Sequence, residues 1–351
     1  MPFEATQIFA QVLPCCPVIP KLSVNMADVA RRSGVSIASV SRALRGQPGV
    51  SAATRDRVLA SARELSYVVS PEASRLSGGA TGRIGVVVPQ VDSWFYSAVI
   101  AGIAGEFDAA GMDVVLCALP DVATRHRFFD TLPLRRKVDA IVVASIPLTA
   151  QERGRLDQLG VPAVFIGGDD DGRSPWVGID DTLAAEQAVG HLVRIGHRDI
   201  AMIQALAPGG EAWATDEARI RGFHRQIADA QLPEPTVVTV QWGVDGGARG
   251  MEELLSGPRL PTAVFCHSDE IAIGALRTLR RAGVSVPQQV SVIGVDNHPS
   301  AEVADLTTVA QPARQQGEIA ARLLIARPST GPRITMLPTR LVVRGSTAPP
   351  R

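Results

Sequence analysis

The chain has 351 residues, with 35 basic and 35 acidic side chains and a formal charge of zero at neutral pH. Its hydrophobic content of 46%, with few aromatic residues, suits α/β packing, and its length exceeds what one small core can organise. No apolar run approaches the length of a membrane span, and the four cysteines (Cys15, Cys16, Cys117 and Cys266) lack the spacing of a disulfide framework, which points to a reducing cytoplasm.

Residues 1–20 contain an apolar patch and the stretch Val12-Leu13-Pro14-Cys15, which has the outline of a lipoprotein cleavage site. There is no basic leader, only Glu4, and Pro14 occupies the place of a small residue. The expectation is no signal peptide, and either a disordered extension or a start codon assigned too early.

The next stretch is the most informative. Asn25 can cap a helix, with Asp28 three residues on completing a capping box, and Gly34 suits the left-handed residue that ends it. Val35 can turn inward. Ser36 then caps a second helix whose apolar positions Ile37, Val40 and Leu44 recur at helical spacing, with Ala43 beside them. Ser36, Ser39, Ser41 and Arg42 occupy its other faces, and a helix of such small residues is thin enough for a DNA major groove. An ordinary helical hairpin is the alternative. Ser51 opens a third helix running to about Leu65, with Val58, Leu59, Ala62 and Leu65 on one face. Lys21 to Leu65 holds eight basic and three acidic residues, leaving 27 and 32 in the remainder. The neutral average therefore hides a basic head on an acidic body, an asymmetry suited to phosphate binding at one end.

Ser70 as cap, Pro71 at the first helical position and Gly78 as stop describe a helix of barely two turns, marginal alone in water. Beyond it the texture changes to apolar strands alternating with helices. Ile84–Val88, Val114–Ala118, Ala140–Ala144 and Ala163–Ile166 read as one set of strands, with a helix near Tyr96–Ala110. Ile200–Ile203, Val237–Val240, Ala263–Cys266 and Val290–Val295 read as a second. This alternation predicts parallel sheets covered on both faces, two sets predict two lobes, and ligands of such sheets bind at strand carboxyl ends.

Several ordered motifs closely resemble the lactose/galactose repressor (LacI/GalR) family. In the head they are Asp28-Val29-Ala30, Ser33-Gly34-Val35-Ser36, Ser39-Val40-Ser41-Arg42-Ala43-Leu44 and Leu65-Ser66-Tyr67. In the body they are Gly196-His197-Arg198-Asp199, Arg219 with Gly222-Phe223, Ser268-Asp269-Glu270, Val292-Ile293-Gly294-Val295-Asp296, Leu306-Thr307-Thr308-Val309 and Leu341-Val342-Val343-Arg344-Gly345-Ser346-Thr347. The resemblance covers about residues 24 to 348. It implies a three-helix helix-turn-helix DNA-binding domain over 21–69, a hinge helix and linker over 70–81, and a two-lobed periplasmic-binding-protein-like domain with parallel sheets over 82–351. Lobe 1 is expected at about 82–180 and 313–332, and lobe 2 at about 181–312 and 333–351, with crossings near Ile179–Asp181, Pro312 and Arg333.

By the same resemblance, the heads of a homodimer read the two halves of a palindromic operator in double-stranded DNA through Ile37, Ala38 and Arg42. Leu76 sits where the family's hinge helix wedges open the minor groove, and Arg75 can hold phosphate. In the cleft, Phe95 and Tyr96 match the family's aromatic pair, with Trp94 replacing the commoner proline. Arg219 matches its ligand-gripping arginine, and Trp242 an aromatic platform for a sugar face. Ser145, Ser268 and Asp296 follow strands and can hydrogen-bond hydroxyls. Each has a plainer alternative: Phe95 and Tyr96 as core, Ser268 as a helix cap, Asp296 and Arg219 as a structural pair. Gly167-Gly168 stands where many relatives carry an acidic ligand contact.

The implied function is an allosteric transcriptional regulator, a repressor whose operator affinity responds to a small sugar or sugar acid. It is cytoplasmic and nucleoid-associated, and dimeric rather than tetrameric, since no leucine heptads follow the body. The alternative is a periplasmic-type sugar-binding protein. No catalytic set, cofactor fingerprint, metal spacing or membrane segment presents itself.

Overall fold

A computed structural model describes residues 24–44, 46–67, 80–168, 172–206, 214–326 and 333–351. The expected extension over 1–20 and the short helix over 70–78, with Arg75 and Leu76, lie outside these residues. The chain divides into two compact units, Met1–Gly79 and Ala80–Arg351.

Among the described residues the first unit contains three helices, α1 (Met26–Ser33), α2 (Ile37–Leu44) and α3 (Ala52–Glu64). Asn25 Oδ1 accepts from the Ala27 and Asp28 amides at 2.8 and 3.2 Å, while Asp28 Oδ2 accepts from Asn25 N at 2.9 Å, which completes the capping box. Gly34 ends α1 at φ +68°, a conformation that costs glycine little, and the chain turns tightly into α2. Ser36 Oγ accepts from Ser39 N at 3.2 Å, and Ser51 Oγ from Thr54 N at 3.3 Å, so each later helix also starts on a serine. Val29, Val40 and Val58 form a core with Ala30, Ala43 and Ala62, edged by Val35, Leu44, Leu65 and Tyr67. Two residues expected on apolar faces lie outside that core. Ile37 is 52% exposed and Leu59 37% exposed, because the stripe buried on α2 runs through Val40, Ala43 and Leu44, and that on α3 through Val58 and Ala62.

In the second unit, β1 (Arg83–Val88), β2 (Asp113–Ala118), β3 (Ala140–Ala144), β4 (Ala163–Ile166) and β5 (Trp176–Ile179) form a sheet with a late strand. The second sheet contains β6 (Ile200–Leu206), β7 (Val237–Gln241), β8 (Ala263–Cys266), β9 (Ser291–Asp296) and β10 (Thr307–Ala310). β11 (Ile334–Leu337) joins the first sheet and β12 (Arg340–Val342) the second. The orders are β11-β5-β4-β3-β1-β2 and β12-β10-β9-β8-β6-β7, parallel throughout except that β12 runs antiparallel to β10. The covering helices are α4 (Trp94–Ala109), α5 (Val122–Thr131), α6 (Ala150–Asp157), α7 (Asp181–Arg194), α8 (Ala214–Asp229), α9 (Val244–Ser256), α10 (Asp269–Arg281), α11 (Pro299–Val303) and α12 (Ala313–Ala326).

Strand alternation supplies two apolar layers to each sheet. In the first, Ile84, Val86 and Val88 pack with Val99, Ile103 and Phe107 of α4, whereas Val87 and Ile141 face Phe128 and Leu156. In the second, Ala201 and Ile203 meet Met251 and Ile271, whereas Ile200 and Met202 meet Leu192 and Phe223. Each sheet with its helices is a lobe. The chain passes between them after Ile179 and again before Ala313. The third passage is not near Arg333. Ile334–Leu337 pairs in register with Trp176–Ile179, so these residues extend the first lobe, and the chain crosses at Pro338 and Thr339.

Candidate functional site

The parallel topology brings every strand of a lobe to its carboxyl end on the same side, and the two lobes face each other there. Between them lies a cleft with about 700 Å³ of space inside its walls, its mouth included. Phe95 and Tyr96 reach it from the first turn of α4, Ser145 from the end of β3, Arg219 from α8, Trp242 from the end of β7 and Asp296 from the end of β9. Six of the seven ligand positions expected from sequence therefore share one cavity. Ser268 does not line it. That serine is fully buried, and its hydroxyl accepts from Ile271 N at 3.4 Å as the cap of α10, because the helix starts at the very next residue.

The aromatic pair belongs both to the core and to the cleft wall. Tyr96 is only 8% exposed and packs in the first lobe's core, yet its ring meets Phe95 edge-on at 5.2 Å in the cleft wall. Burial above all raises its phenol beyond the usual tyrosine range, against a hydrogen bond from Ser145. Across the cleft, Trp242 tilts against the His267 ring with centroids 5.3 Å apart. Gly167, at φ +62°, also lines the cavity, and its carbonyl accepts from Trp176 Nε1 at 3.1 Å. A Cβ there would stand 2.7 Å from Ser145 Oγ, so the glycine lets the β3 and β4 ends approach and brings no acid to the site.

Charge is concentrated around Arg219, which is 3% exposed. Its Nε donates to Asp181 Oδ1 at 2.9 Å, its Nη1 to the His267 carbonyl at 2.6 Å, and its Nη2 lies 3.7 Å from Asp296 Oδ1. Asp296 accepts from Gln311 Nε2 at 2.6 Å, and Gln316 Nε2 donates to Gln311 Oε1 at 3.0 Å. Beneath them, the fully buried His267 accepts from Ala205 N on Nδ1 at 3.3 Å, which assigns the ring proton to Nε2. That Nε2 stands 3.1 Å from Asp216 Oδ1, close but off the line of a hydrogen bond. Asp269 is buried behind the site, accepting from Thr308 Oγ1 at 2.7 Å and His298 N at 2.8 Å. Asp181, Asp216, Gln311 and Gln316 line the cleft but belong to no motif singled out in the sequence. The only sequence signal was the spacing of Asp216 and Arg219, three residues apart on one helix.

Three carboxyl groups thus face one guanidinium, and burial holds two of them, Asp181 and Asp296, above the ordinary carboxylate range. Burial is the main cause that raises the Asp181 carboxyl, with Arg219 opposing it. Burial likewise raises Asp296 to about 6, with Arg219 and Gln311 opposing and Glu270 and Asp181 adding to the rise. A folded pKa above the unfolded value of about 3.9 means that folding favours the protonated acid. Its contribution is full below about pH 4 and is lost as pH rises through about 6. Asp296→Asn, which keeps an acceptor oxygen for Gln311, is therefore expected to raise the thermal midpoint at pH 7. The gain should vanish below about pH 4, and melts of both proteins from pH 4 to 8 check this; a gain independent of pH would contradict it.

In the first unit, Ser36, Ile37, Ala38 and Arg42 form an exposed surface on α2, with Ser39 and Ser41 half-buried beside them. Apolar Ile37 and Ala38 sit in the open, which a lone helical hairpin gains nothing from.

Both units have counterparts among known proteins. A profile for bacterial regulatory proteins of the lacI family matches residues 25–70, and one for a periplasmic binding protein-like domain matches residues 189–347. The HTH-type transcriptional regulator MalR of Streptomyces coelicolor is 34% identical over 93% of this chain and 97% of its own. The HTH-type transcriptional repressor CytR of Escherichia coli K12 is 31% identical over 93% of this chain and 96% of its own. Among solved structures, the lac repressor dimer bound to operator and an anti-inducer superposes with a TM-score of 0.79 at 27% identity, covering 93% of this chain and 99% of that one. The complex of the regulator CelR with cellobiose gives 0.68 at 30% identity, covering 92% and 99%. The chain belongs to the LacI family of bacterial regulatory proteins.

Proposed function

We propose that the protein is a sequence-specific DNA-binding transcriptional repressor whose operator affinity is set by a small neutral sugar held between its lobes. The supporting observation is the pairing, in one chain, of an exposed arginine-bearing helix on a helix-turn-helix head with an aromatic and carboxylate-rich cleft between two lobes. A homodimer presents two such heads to a palindromic site, Arg42 gripping a guanine edge and Ile37 and Ala38 meeting thymine methyls. It acts on chromosomal DNA in the cytoplasm. No helix among the described residues is long and apolar enough to cross a membrane. A sugar-binding protein without a transcriptional role has no use for the head, and that reading is not favoured.

The cleft narrows the ligand class. Arg219 directs Nε and Nη1 to the protein's own acceptors, so the one cationic side chain among the described lining residues is already engaged by Asp181 and the His267 carbonyl. An incoming sugar acid or sugar phosphate would face the three carboxyl groups. Two like charges about 5 Å apart at an effective dielectric constant of about 20 repel by about 3 kcal/mol. A neutral polyol meets the same groups as hydrogen-bond acceptors for its hydroxyls, with Trp242 as an apolar platform. Calorimetric titration with ribose and cellobiose, which occupy solved relatives, and with a broader panel of neutral sugars and their acid and phosphate counterparts, tests this. Any neutral sugar that binds should do so at least about tenfold more tightly than its anionic counterpart, and should change operator retention in a gel shift. Tighter binding of the anion would overturn the assignment.

A further inference from the structure

α4 is unusual among its neighbours at its start. Helices α5, α6 and α7 are capped by side chains of their own segments, Asp121, Thr149 with Glu152, and Asp180. For α4, Ser93 occupies the cap position but its side chain accepts nothing from the helix, and no acidic residue lies in the first turn. The first amides of a helix have no partner within it and need one from elsewhere. Here the partner comes from the other lobe. Glu270, in the first turn of α10, accepts from Trp94 N through Oε1 and from Ser93 Oγ through Oε2, both at 3.4 Å. A second contact crosses at the same point, where the Trp94 ring leans on the His298 ring with centroids 5.6 Å apart at 59°.

We propose that Glu270 is a positioning residue that caps α4 across the cleft, so that the aromatic wall formed by Phe95 and Tyr96 is held in place by a contact between the lobes. A carboxylate at a helix N-terminus is favoured by the helix dipole as well as by the hydrogen bonds. The two residues after Trp94 are the ones that line the cleft, so ordering this turn orders the ligand wall. Both bonds are longer than a well-formed N–H···O or O–H···O contact, which leaves them room to shorten as the clamp tightens. Trp94 adds an apolar surface that His298 covers from the second lobe. Only the link to ligand affinity rests on the cleft being the effector site; the cap itself does not.

Hydrogen exchange of the full-length protein, with no ligand present, tests the cap independently of any effector. In Glu270→Ala, the peptide covering Ser93 to Ser97 should exchange about three- to tenfold faster than in the wild type, the factor for losing one helix cap. Glu270→Gln keeps an acceptor oxygen and should restore much of the protection, which a general packing defect would not allow. Peptides from α12, behind α4, should be unchanged. Unchanged exchange at Ser93–Ser97 in Glu270→Ala, or equal loss in both variants, would overturn the proposal. A second arm uses whichever neutral sugar of the panel binds the wild type: weaker binding by Glu270→Ala with near-wild-type binding by Glu270→Gln is expected. If no sugar binds but exchange changes as stated, the cap stands and the ligand reading fails.

Discussion

Replacing Arg42 with alanine is expected to remove specific operator binding while leaving ligand affinity in the cleft unchanged. Arg42 lies exposed in the last turn of α2, above a core that its own side chain does not enter. A bidentate arginine–guanine contact is worth about 1–3 kcal/mol of discrimination, and a dimer on a palindrome makes it twice. The combined loss is about 2–6 kcal/mol, or on the order of 30-fold to 10,000-fold in affinity. The core of Val29, Val40 and Val58 is untouched, so the head should stay folded. Anisotropy titrations against a fragment selected from genomic DNA, at one fixed near-physiological salt concentration, measure the loss. Retained preference for that fragment would show that α2 is not the reading helix.

Arg219→Met has the largest expected effect on the body. The guanidinium is buried with Asp181 at 2.9 Å and Asp296 at 3.7 Å, so removing it strands two carboxyl groups away from water. Breaking a buried pair in this way costs about 3–5 kcal/mol, more than an exposed pair such as Arg32–Glu64 could contribute. Because burial already raises both carboxyls, the penalty should shrink as pH falls and they take up protons. Arg219→Met with Asp181→Asn should recover part of the loss. Thermal melts of the single and double variants at pH 7 and pH 5 check these points. A variant as stable as the wild type at pH 7 would contradict the buried ion cluster.

What was legible in the chain follows from how strongly each element is patterned. The central strands are continuous apolar runs buried on both faces, and all eight expected strands are present within a few residues. The missed strands are short and lie toward the far edge of each sheet. Trp176–Ile179 includes a glycine, and Ile334–Leu337 and Arg340–Val342 have four and three residues, with exposure alternating in the former. The proline between the last two separates sheets, which explains why the third passage was placed too early. At the cleft, the rule that ligands sit at strand ends pointed to Ser145 and Asp296, which line the cavity, whereas Trp242 came from the family resemblance. The rule misplaced Ser268, where a strand end is also a helix cap and the hydroxyl turns to Ile271 N. Asp181, Gln311 and Gln316 carry no pattern, since only the folding of two distant segments onto one another makes them neighbours.

Ligand binding in the cleft and operator binding by the head are expected to be thermodynamically linked. If so, reciprocity requires that operator DNA change ligand affinity by the same factor by which ligand changes operator affinity. The most direct test is a calorimetric titration of the bound sugar into the protein alone and into its complex with saturating operator. Ligand Kd is expected to shift by about 5- to 150-fold, equal to the shift in operator Kd measured with saturating sugar. Identical ligand affinity with and without operator would contradict it.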